Sequence, residues 1–462
     1  MANSKRWAAT NKTASLSKPS TVLCWLVILT LTCAMVLGGA PAKPGIGFLA
    51  TSLVSIITLS FALAGGALNN VRALPRACKI LLVVLLALPV IQLFPLNMDI
   101  YSMLPGHQKA AKTISLVGGA GWLPLSLAPM DTAFAALLFI PPISIFIGIL
   151  ALSQNDRDAV LLAAIGITII SILIGLIQFT SGGTALNFYD SAHKTYLLGF
   201  FNNRNHTGLI LAVVFVLCAQ LVLRTAERRP AFLILGILGI LFVAAEIGTA
   251  SRSGMVFMGA AIISIFVLNN EQPRLRKTLV ILGAAAAVLA LSLYLADGVF
   301  QRSTDRFSEI GEDGRWTIWE RSLPLVQLYF PTGSGLGTFA TIFAANEKLD
   351  WLSPRFVNHA HNDYLEFVIE AGILGVISII LFLYCFLAKA KDVFNRTHWS
   401  MNGSERLVVV AVALVITHEF WDYPLRTLAG SCVFALALGM LFGQGKRASL
   451  GNGGLLRQGH PE

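Results

Sequence analysis

The chain contains about twelve apolar runs that are each long enough to cross a membrane, and this repetition limits its fold more than any other feature. A spanning helix needs roughly 20 mainly apolar residues. With 55% hydrophobic and only 13% charged residues among 462, the composition is that of a polytopic membrane protein. The predicted spans are about 20–39, 46–66, 77–96, 132–153, 158–180, 206–223, 231–250, 253–269, 278–297, 362–388, 405–422 and 427–444.

These runs predict helices, because a segment inside lipid must satisfy its backbone hydrogen bonds internally. We therefore predict an all-α polytopic membrane protein of about twelve transmembrane helices, with residues 1–462 forming a single integral membrane domain. A cleaved signal peptide is the alternative for the first run. That run is long for a signal peptide, however, and no A-x-A cleavage site ends it, so we interpret it as an uncleaved span.

The distribution of lysine and arginine predicts the orientation, because short cytoplasmic loops carry an excess of both residues. With a cytoplasmic N-terminus, 21 of the 34 basic residues fall on the inner side. We therefore predict that both termini are cytoplasmic. The net charge of +10 then reflects topology and attraction to anionic lipid, and no motif suggests a nucleic-acid partner.

Three outward loops are long enough to hold structure, at about 97–131, 181–205 and 298–361. In the last and largest loop, apolar residues recur at helical spacing over 315–323, which predicts a short amphipathic helix on the outer membrane surface. All six cysteines lie inside or at the edge of predicted spans, so we expect neither a disulfide framework nor a CxxC metal site.

The motif His359-Ala-His361-Asn-Asp363-Tyr-Leu-Glu366, followed by Glu370, places two imidazoles and three acids at the start of a predicted span. Charge at such a position is costly and marks a candidate functional site. The three acids are spaced to share one face of a helix. They either orient His361 or pair with neighbouring arginines, and His359 is a supporting neighbour.

Other segments bring cationic groups to the same predicted external face, namely Arg204, His206, Arg252 and Arg315. Arginine suits phosphate, because its planar guanidinium forms bidentate charge-assisted hydrogen bonds and keeps its proton. Histidine suits proton transfer near neutral pH. Together these residues suit displacement of a lipid diphosphate by an alcohol: Arg252 and Arg315 neutralise developing charge, and His361 removes the hydroxyl proton. Two fixed cations can do part of what a bound metal does.

Structural roles compete with these functional ones. Arg204 and Arg252 also suit anchoring at the membrane interface, and His206 suits a helix end where asparagine or backbone satisfies its ring. Tryptophans in the large loop are typical of the aromatic belt of a membrane protein, with sugar stacking as the alternative; they are Trp316, Trp319 and Trp351.

Five motifs, taken in order, resemble the O-antigen ligase and O-antigen polymerase superfamily. They are Gly199-Phe-Phe-Asn-Asn-Arg204-Asn-His206, Ser251-Arg252-Ser-Gly254, Gly314-Arg315-Trp-Thr-Ile-Trp319, Gly333-Ser-Gly-Leu-Gly337, and the histidine motif running on to Glu370-Ala-Gly372-Ile-Leu-Gly375. The resemblance implies a GT-C-like bacterial inner-membrane glycosyltransferase with a large periplasmic loop at 298–361. Such an enzyme takes a glycan from undecaprenyl diphosphate on the periplasmic face, without nucleotide sugar, ATP, metal or other cofactor.

By motif match, the resemblance implies catalytic roles for Arg252, Arg315 and His361. We assign substrate contacts to the remaining site residues, which are Arg204, His206, His359, Asp363 and Glu366. The resemblance also implies that apolar grooves take the prenyl tail and that the sugar lies under the large loop. In the ligase branch the acceptor is lipid A-core oligosaccharide, and in the polymerase branch it is another lipid-linked repeat.

Several alternatives stay open at the level of sequence. Ligase and polymerase share these motifs, so O-antigen or exopolysaccharide polymerisation is an alternative function. A transporter or flippase is a third, although no internal repeat favours it. Direct attack predicts inversion at the anomeric carbon, whereas a covalent intermediate on Asp363 or Glu366 predicts retention. The 97–131 loop either contacts the acceptor or caps the fold.

Overall fold

The computed structural model describes residues 19–41, 45–119, 121–269, 314–349, 356–396 and 403–443. Two short strands, β1 (Pro95–Asn97) and β2 (Trp122–Pro124), pair antiparallel, and Pro424–Arg426 forms a 3-10 turn. The α-helices are α1 (Pro19–Leu37), α2 (Ile46–Ala64), α3 (Leu68–Arg72), α4 (Arg76–Leu93), α5 (Met98–Met103), α6 (Gln108–Leu116), α7 (Pro129–Leu138), α8 (Ile140–Ala151), α9 (Gln154–Thr180), α10 (Arg204–Thr225), α11 (Arg228–Thr249), α12 (Arg252–Asn269), α13 (Gly314–Tyr329), α14 (Phe339–Ala345), α15 (Asp363–Arg396), α16 (Gly403–His418) and α17 (Leu428–Gly443).

Within the described ranges, seven helical segments are long and apolar enough to cross a membrane: α2, α4, α7 with α8, α9, α10, α11 and α15. Three shorter apolar segments lie in α1, α12 and α17, at Thr21–Leu37, Arg252–Leu268 and Leu428–Gly443. The prediction of a helical membrane protein is thus confirmed. The count of twelve stays a prediction, as does the placing of the termini, because the predicted span 278–297 and both chain ends lie outside the described residues.

The structure revises two of the predicted spans. The run at 132–153 forms two helices that meet at Phe139, because two prolines open α8 and proline, which has no backbone N–H, is best accommodated in the first turn of a helix. The run at 405–422 stops being helical at His418. The polar stretch after that residue is therefore a loop, and it becomes central to the site.

The helix predicted around 315–323 in the large loop is confirmed as α13. Trp316 and Leu323, two of the apolar positions that predicted this helix, are exposed. The buried side of α13 is a different face, which carries Leu325 and Tyr329. An exposed apolar face suits a membrane surface. The position of α13 on that surface stays a prediction.

Helix α10 lies at the centre of the described part of the fold. Every residue from His206 to Leu221 is buried, and α10 packs against α9, α11, α12 and α16. A helix that is apolar on all sides has no face to present to solvent, so it takes the interior position. Its first turn consequently opens into the middle of one end of the bundle.

Helix α15 is broken at Gly372, where φ is 57° and ψ is −135°. A Cβ at this position would lie 2.1 Å from the carbonyl oxygen of Pro331, so only glycine fits. The break exposes the carbonyl of Glu370, which accepts a hydrogen bond from the Gly335 N–H at 3.0 Å. The glycine-rich motif 333–337 therefore holds the first turns of α15 in place.

The loop at 97–131 is organised around His107, which is fully buried. Its two ring nitrogens lie 2.8 Å from the carbonyl oxygen of Pro105 and 2.7 Å from that of Leu125. These contacts join the two ends of the loop and support a capping role. Contact of this loop with a glycan acceptor stays untested.

At the other end of the bundle, Arg157 caps two helices. Its guanidinium donates to the carbonyl oxygens of Ile149 at 2.8 Å, Leu150 at 3.3 Å and Gly443 at 2.8 Å. These carbonyls belong to the last turns of α8 and α17, where a cation offsets the helix dipole. Arg157 is one of the basic residues predicted to face the cytoplasm.

Candidate active site

Five segments that are distant in sequence meet at one end of the bundle. They are the first turns of α10, α12 and α13, the loop before α15 and the loop after α16. The sequence places the first four on the external face, and the structure brings them together. The fifth, which follows α16, supplies the side chains that connect the others.

Asp422 is the carboxylate on which these segments converge, and its side chain is only 1% exposed. One of its oxygens lies 3.4 Å from Nε2 of His206 and 3.4 Å from Nδ1 of His361. The other oxygen accepts a hydrogen bond from Nδ2 of Asn205 at 3.0 Å and lies 3.6 Å from Nη2 of Arg315. A single buried acid therefore contacts two imidazoles and a guanidinium.

The surroundings of Asp422 favour its charged form. Burial by itself raises the pKa of this carboxyl, but the imidazoles of His206 and His361 outweigh it and hold the pKa well below its usual range. The backbone N–H of Tyr423 also donates to the carboxylate at 3.0 Å. Asp422 is thus a fixed negative charge beside the candidate base.

The ring of Tyr423 packs between three histidines. Its centroid lies 4.2 Å from that of His359, 4.9 Å from that of His361 and 5.1 Å from that of His206. Burial, followed by the nearby Asp422 charge, raises the pKa of the Tyr423 phenol above its ordinary value. The phenol therefore stays neutral and serves as a wall that orients the three imidazole planes.

His361 combines an unusual backbone with a divided side-chain environment. Its φ is 52°, in the left-handed region that a residue with a Cβ rarely adopts. Its Nδ1 is buried against Asp422, whereas the side chain as a whole is 25% exposed. The backbone strain thus accompanies a ring that contacts a buried acid and is still partly open to its surroundings.

His359, by contrast, is bound by protein groups. Its Nδ1 lies 2.8 Å from Oε1 of Glu366, and the Ala360 N–H donates to the other oxygen of that carboxylate at 2.8 Å. The Trp319 Nε1–H donates to the carbonyl oxygen of Ala360 at 2.9 Å. Glu366 and Trp319 therefore shape the loop that carries His361, and Trp351 lies outside the described residues.

The three acids at the start of α15 face one arginine from the 3-10 turn. Arg426 donates to Asp363 at 2.5 Å and to Glu370 at 2.8 Å, and it lies 3.5 Å from Glu366. Burial lowers the pKa of Arg426, but the three carboxylates outweigh it and raise the pKa well above its ordinary value. Of the two roles expected for the acids, pairing with an arginine is the one with direct contacts.

Arg252 opens α12 next to this network. The preceding Ser251 caps the helix, since its hydroxyl accepts from the Gly254 N–H at 3.1 Å, and it donates to Oδ1 of Asn205 at 3.0 Å. Asn205 in turn binds Asp422. The Ser-Arg motif is therefore joined to the histidine motif through one asparagine, with the Arg252 side chain partly exposed.

Arg204 has contacts that suit a structural anchor. Its guanidinium donates to the carbonyl oxygen of Ala250 at 3.2 Å and lies 4.8 Å from the ring centroid of Tyr196. Ala250 has a φ of 50° and ends α11. Arg204 thus stabilises the turn that leads into Arg252, whereas His206 contacts Asp422 directly.

Sequence reasoning missed Asp422, Tyr423, Arg426 and Asn205. A signal was present, because the stretch 418–426 holds a histidine, two acids, a proline and an arginine between two apolar runs. Extending the predicted span to residue 422 hid it. For the residues that the structure describes, no group of three or more His, Cys, Asp or Glu side chains is arranged to hold a metal ion.

Residues 237–380 match the family model described as O-antigen ligase. The chain carries an O-antigen ligase domain. The predicted membership of the O-antigen ligase and polymerase superfamily is therefore confirmed, and it implies a glycosyltransferase-like membrane enzyme of polysaccharide biosynthesis. The matched residues of this O-antigen ligase domain include Arg252, Arg315 and His361, whereas Asp422 and Arg426 follow it. A comparison with curated proteins gives no match.

Proposed function

We propose that this protein is a membrane glycosyltransferase that moves a glycan from undecaprenyl diphosphate to lipid A-core or a similar acceptor on the periplasmic face. The observation that carries the proposal is the contact of His361 with the buried Asp422, with Arg315 on the other carboxylate oxygen. A histidine oriented by a buried acid is an effective general base near neutral pH. The O-antigen ligase match supports the reaction class.

In the proposed reaction the acceptor hydroxyl oxygen attacks the anomeric carbon of the donor sugar. The bond from that carbon to the diphosphate oxygen breaks, and its electron pair leaves with the prenyl diphosphate. The hydroxyl proton passes to Nε2 of His361, and Asp422 stabilises the imidazolium that forms. Direct attack inverts the anomeric configuration.

The arginines Arg252 and Arg315 would neutralise the leaving diphosphate. Both begin helices that open into the site, where the backbone N–H groups of a first turn add positive potential. Arg315 is 23% exposed and lies 3.6 Å from Asp422. A planar guanidinium suits an oxyanion, because it donates charge-assisted hydrogen bonds in a bidentate geometry. Two fixed cations then meet the charge that develops in the transition state.

For the prenyl chain we propose the groove between α10, α11 and α12. It has a volume of about 490 Å³, and its lining residues are all uncharged. One end reaches Ile247, a few residues before Arg252. A chain in this groove would bring its diphosphate towards that arginine.

Transfer by the purified protein in lipid nanodiscs tests the proposal. With a prenyl-diphosphate glycan donor and a lipid A-core acceptor, we expect His361→Ala and Arg252→Ala each to lower the rate by about 10²–10⁴-fold. Arg72→Ala, an exposed arginine that ends α3, is the matched control and is expected to leave the rate unchanged. Wild-type rates in both site variants would refute the assignment.

The same assay separates the ligase from the polymerase. Offering a lipid-linked repeat in place of lipid A-core yields a longer lipid-linked glycan only if the enzyme is a polymerase. NMR of the product reports the anomeric configuration, and retention there would replace direct attack with a covalent intermediate.

A further inference from the structure

The short stretch from the end of α16 to Asp422 buries its titratable side chains and exposes its aromatic ones. The titratable residues are at most 3% exposed, and they are His418, Glu419 and Asp422. The aromatic residues between them, Phe420 and Trp421, are each 45% exposed. Large exposed apolar rings beside buried acids are unusual on a protein surface and mark a surface that contacts another molecule.

Backbone hydrogen bonds fix this arrangement. The N–H groups of Trp421 and Asp422 both donate to the carbonyl oxygen of His418, at 2.9 Å and 3.1 Å. The Asp363 N–H donates to the carbonyl oxygen of Glu419 at 2.9 Å and so ties the loop to the start of α15. The same turn of backbone therefore places Asp422 inside the site and the two rings outside it.

The two rings continue into a row of aromatic side chains that reaches the histidine motif. The ring centroid of Phe420 lies 4.9 Å from that of Trp421 and 5.7 Å from that of Trp319, with interplanar angles of 64° and 81°. Such edge-to-face contacts are favourable between aromatic rings. The Trp319 Nε1–H donates to the carbonyl oxygen of Ala360, the residue between the two histidines of the motif. This aromatic row, Trp319 with Phe420 and Trp421, is thus attached to the loop that carries the candidate base.

The surface beside the aromatic row is charged and partly open. The side chains of Arg315 and His361 are 23% and 25% exposed, and Arg315 shares a face of α13 with Trp319, four positions further on. A hydrocarbon chain laid here would remove water from charged groups without replacing its hydrogen bonds. A sugar ring suits both parts of the surface, because its C–H face packs on an aromatic ring while its hydroxyls form hydrogen bonds with charged neighbours.

The position of the aromatic row distinguishes the acceptor from the donor. The groove proposed for the prenyl donor lies between α10, α11 and α12, and none of these helices contributes to the row. The row contacts the loop of His361, which is the residue that the acceptor hydroxyl must reach in the proposed reaction. An acceptor sugar therefore fits this surface better than a donor sugar.

We propose that the aromatic row is a subsite that binds a pyranose ring of the acceptor glycan, with the C–H face of the sugar stacked on Phe420 and Trp421. The proposal rests on the proposed function for the identity of the ligand. Trp319 supports the stacking rings from below and connects them to the histidine motif.

Binding of core oligosaccharide, released from its lipid, to the full-length protein in nanodiscs tests the subsite. No donor is present, so the measurement is independent of transfer. We expect Phe420→Leu and Trp421→Leu each to raise Kd about tenfold, because leucine keeps an apolar side chain but has no aromatic face. Trp421→Phe keeps a ring and should stay within about twofold of the wild type. The control is Trp25→Leu, which removes a 66% exposed tryptophan from α1 and should leave Kd unchanged.

Two results would overturn the subsite: no binding of the oligosaccharide to the wild type, or an unchanged Kd in both leucine variants at the ring positions. In the transfer assay these variants should raise KM for the acceptor and leave kcat and KM for the donor unchanged, and a rise in KM for the donor alone would contradict the acceptor assignment. Ring-dependent binding without any glycan transfer would refute the proposed function instead. Thermal unfolding establishes that each variant is folded, and Phe420→Leu decides the matter if Trp421→Leu is not.

Discussion

Replacing Asp422 by asparagine is expected to slow glycan transfer by about 10²–10⁴-fold with little loss of folded protein. The substitution preserves the shape of the side chain and its contact with Asn205, but it removes the charge that faces His361. The amide also offers its own N–H groups, so it no longer specifies which nitrogen of His361 carries the proton. A base with the wrong tautomer and no counter-ion accepts a proton poorly.

The magnitude follows from the geometry. Two unit charges 3.4 Å apart interact by about 5 kcal/mol at an effective dielectric constant of roughly 20. The side chain of His361 is 25% exposed, so solvent screens part of this energy. A loss of roughly 3 to 5 kcal/mol from the transition state corresponds to the stated decrease in rate.

The assay compares kcat and KM for transfer in nanodiscs across a range of pH. We expect Asp422→Asn to lower kcat and to shift its pH profile to lower pH, because the imidazolium of His361 loses the carboxylate that stabilises it. KM for the donor should stay nearly unchanged. Asp392→Asn, a partly exposed acid paired with Lys389, is the control. A folded Asp422→Asn protein with wild-type kcat and an unchanged profile would show that Asp422 does not assist His361.

Three further predictions concern the surroundings of the site. Arg426→Gln leaves three carboxylates without their arginine and should lower the free energy of unfolding by about 3 kcal/mol, measured by thermal unfolding. The control Arg72→Gln should leave it unchanged. If Arg426→Gln is as stable as the wild type, the three acids are neutral. Gly372→Ala should lower the melting temperature, because the added Cβ meets backbone atoms. Gly236→Ala is the control, since a Cβ there meets open space. Similar melting temperatures for the two variants would refute the argument that only glycine fits at position 372. Arg315→Ala should raise KM for a diphosphate-linked donor at least about tenfold, and an unchanged KM would exclude it from diphosphate binding.

Local sequence patterns predicted most of the helices. Spans such as 46–66 and 158–180 correspond to α2 and α9, because a long apolar run in lipid has no alternative to the helix. The helical period in the large loop likewise predicted α13. The predicted span 132–153 was wrong in one respect, because its apolar composition did not show that the two prolines opening α8 divide it into two helices.

Sequence motifs predicted only some of the residues of the candidate site. The motifs around Arg252, Arg315 and His361 identified three of its components, and the O-antigen ligase match covers all three. Their partner Asp422 was hidden, since no local pattern says which acid will lie beside a histidine 61 positions away. The role of Arg426 was hidden for the same reason.

Hydropathy and motifs are local properties of the chain, so they predict the helical membrane class, the family and the residue types available for chemistry. Which of these groups pair follows instead from the packing of the helices. That packing assigns the acids of α15 to Arg426 and the two histidines to Asp422. Such pairing depends on how separate helices pack and on which charges that packing removes from water. Neither the packing nor the loss of water can be inferred from the residues of a single segment.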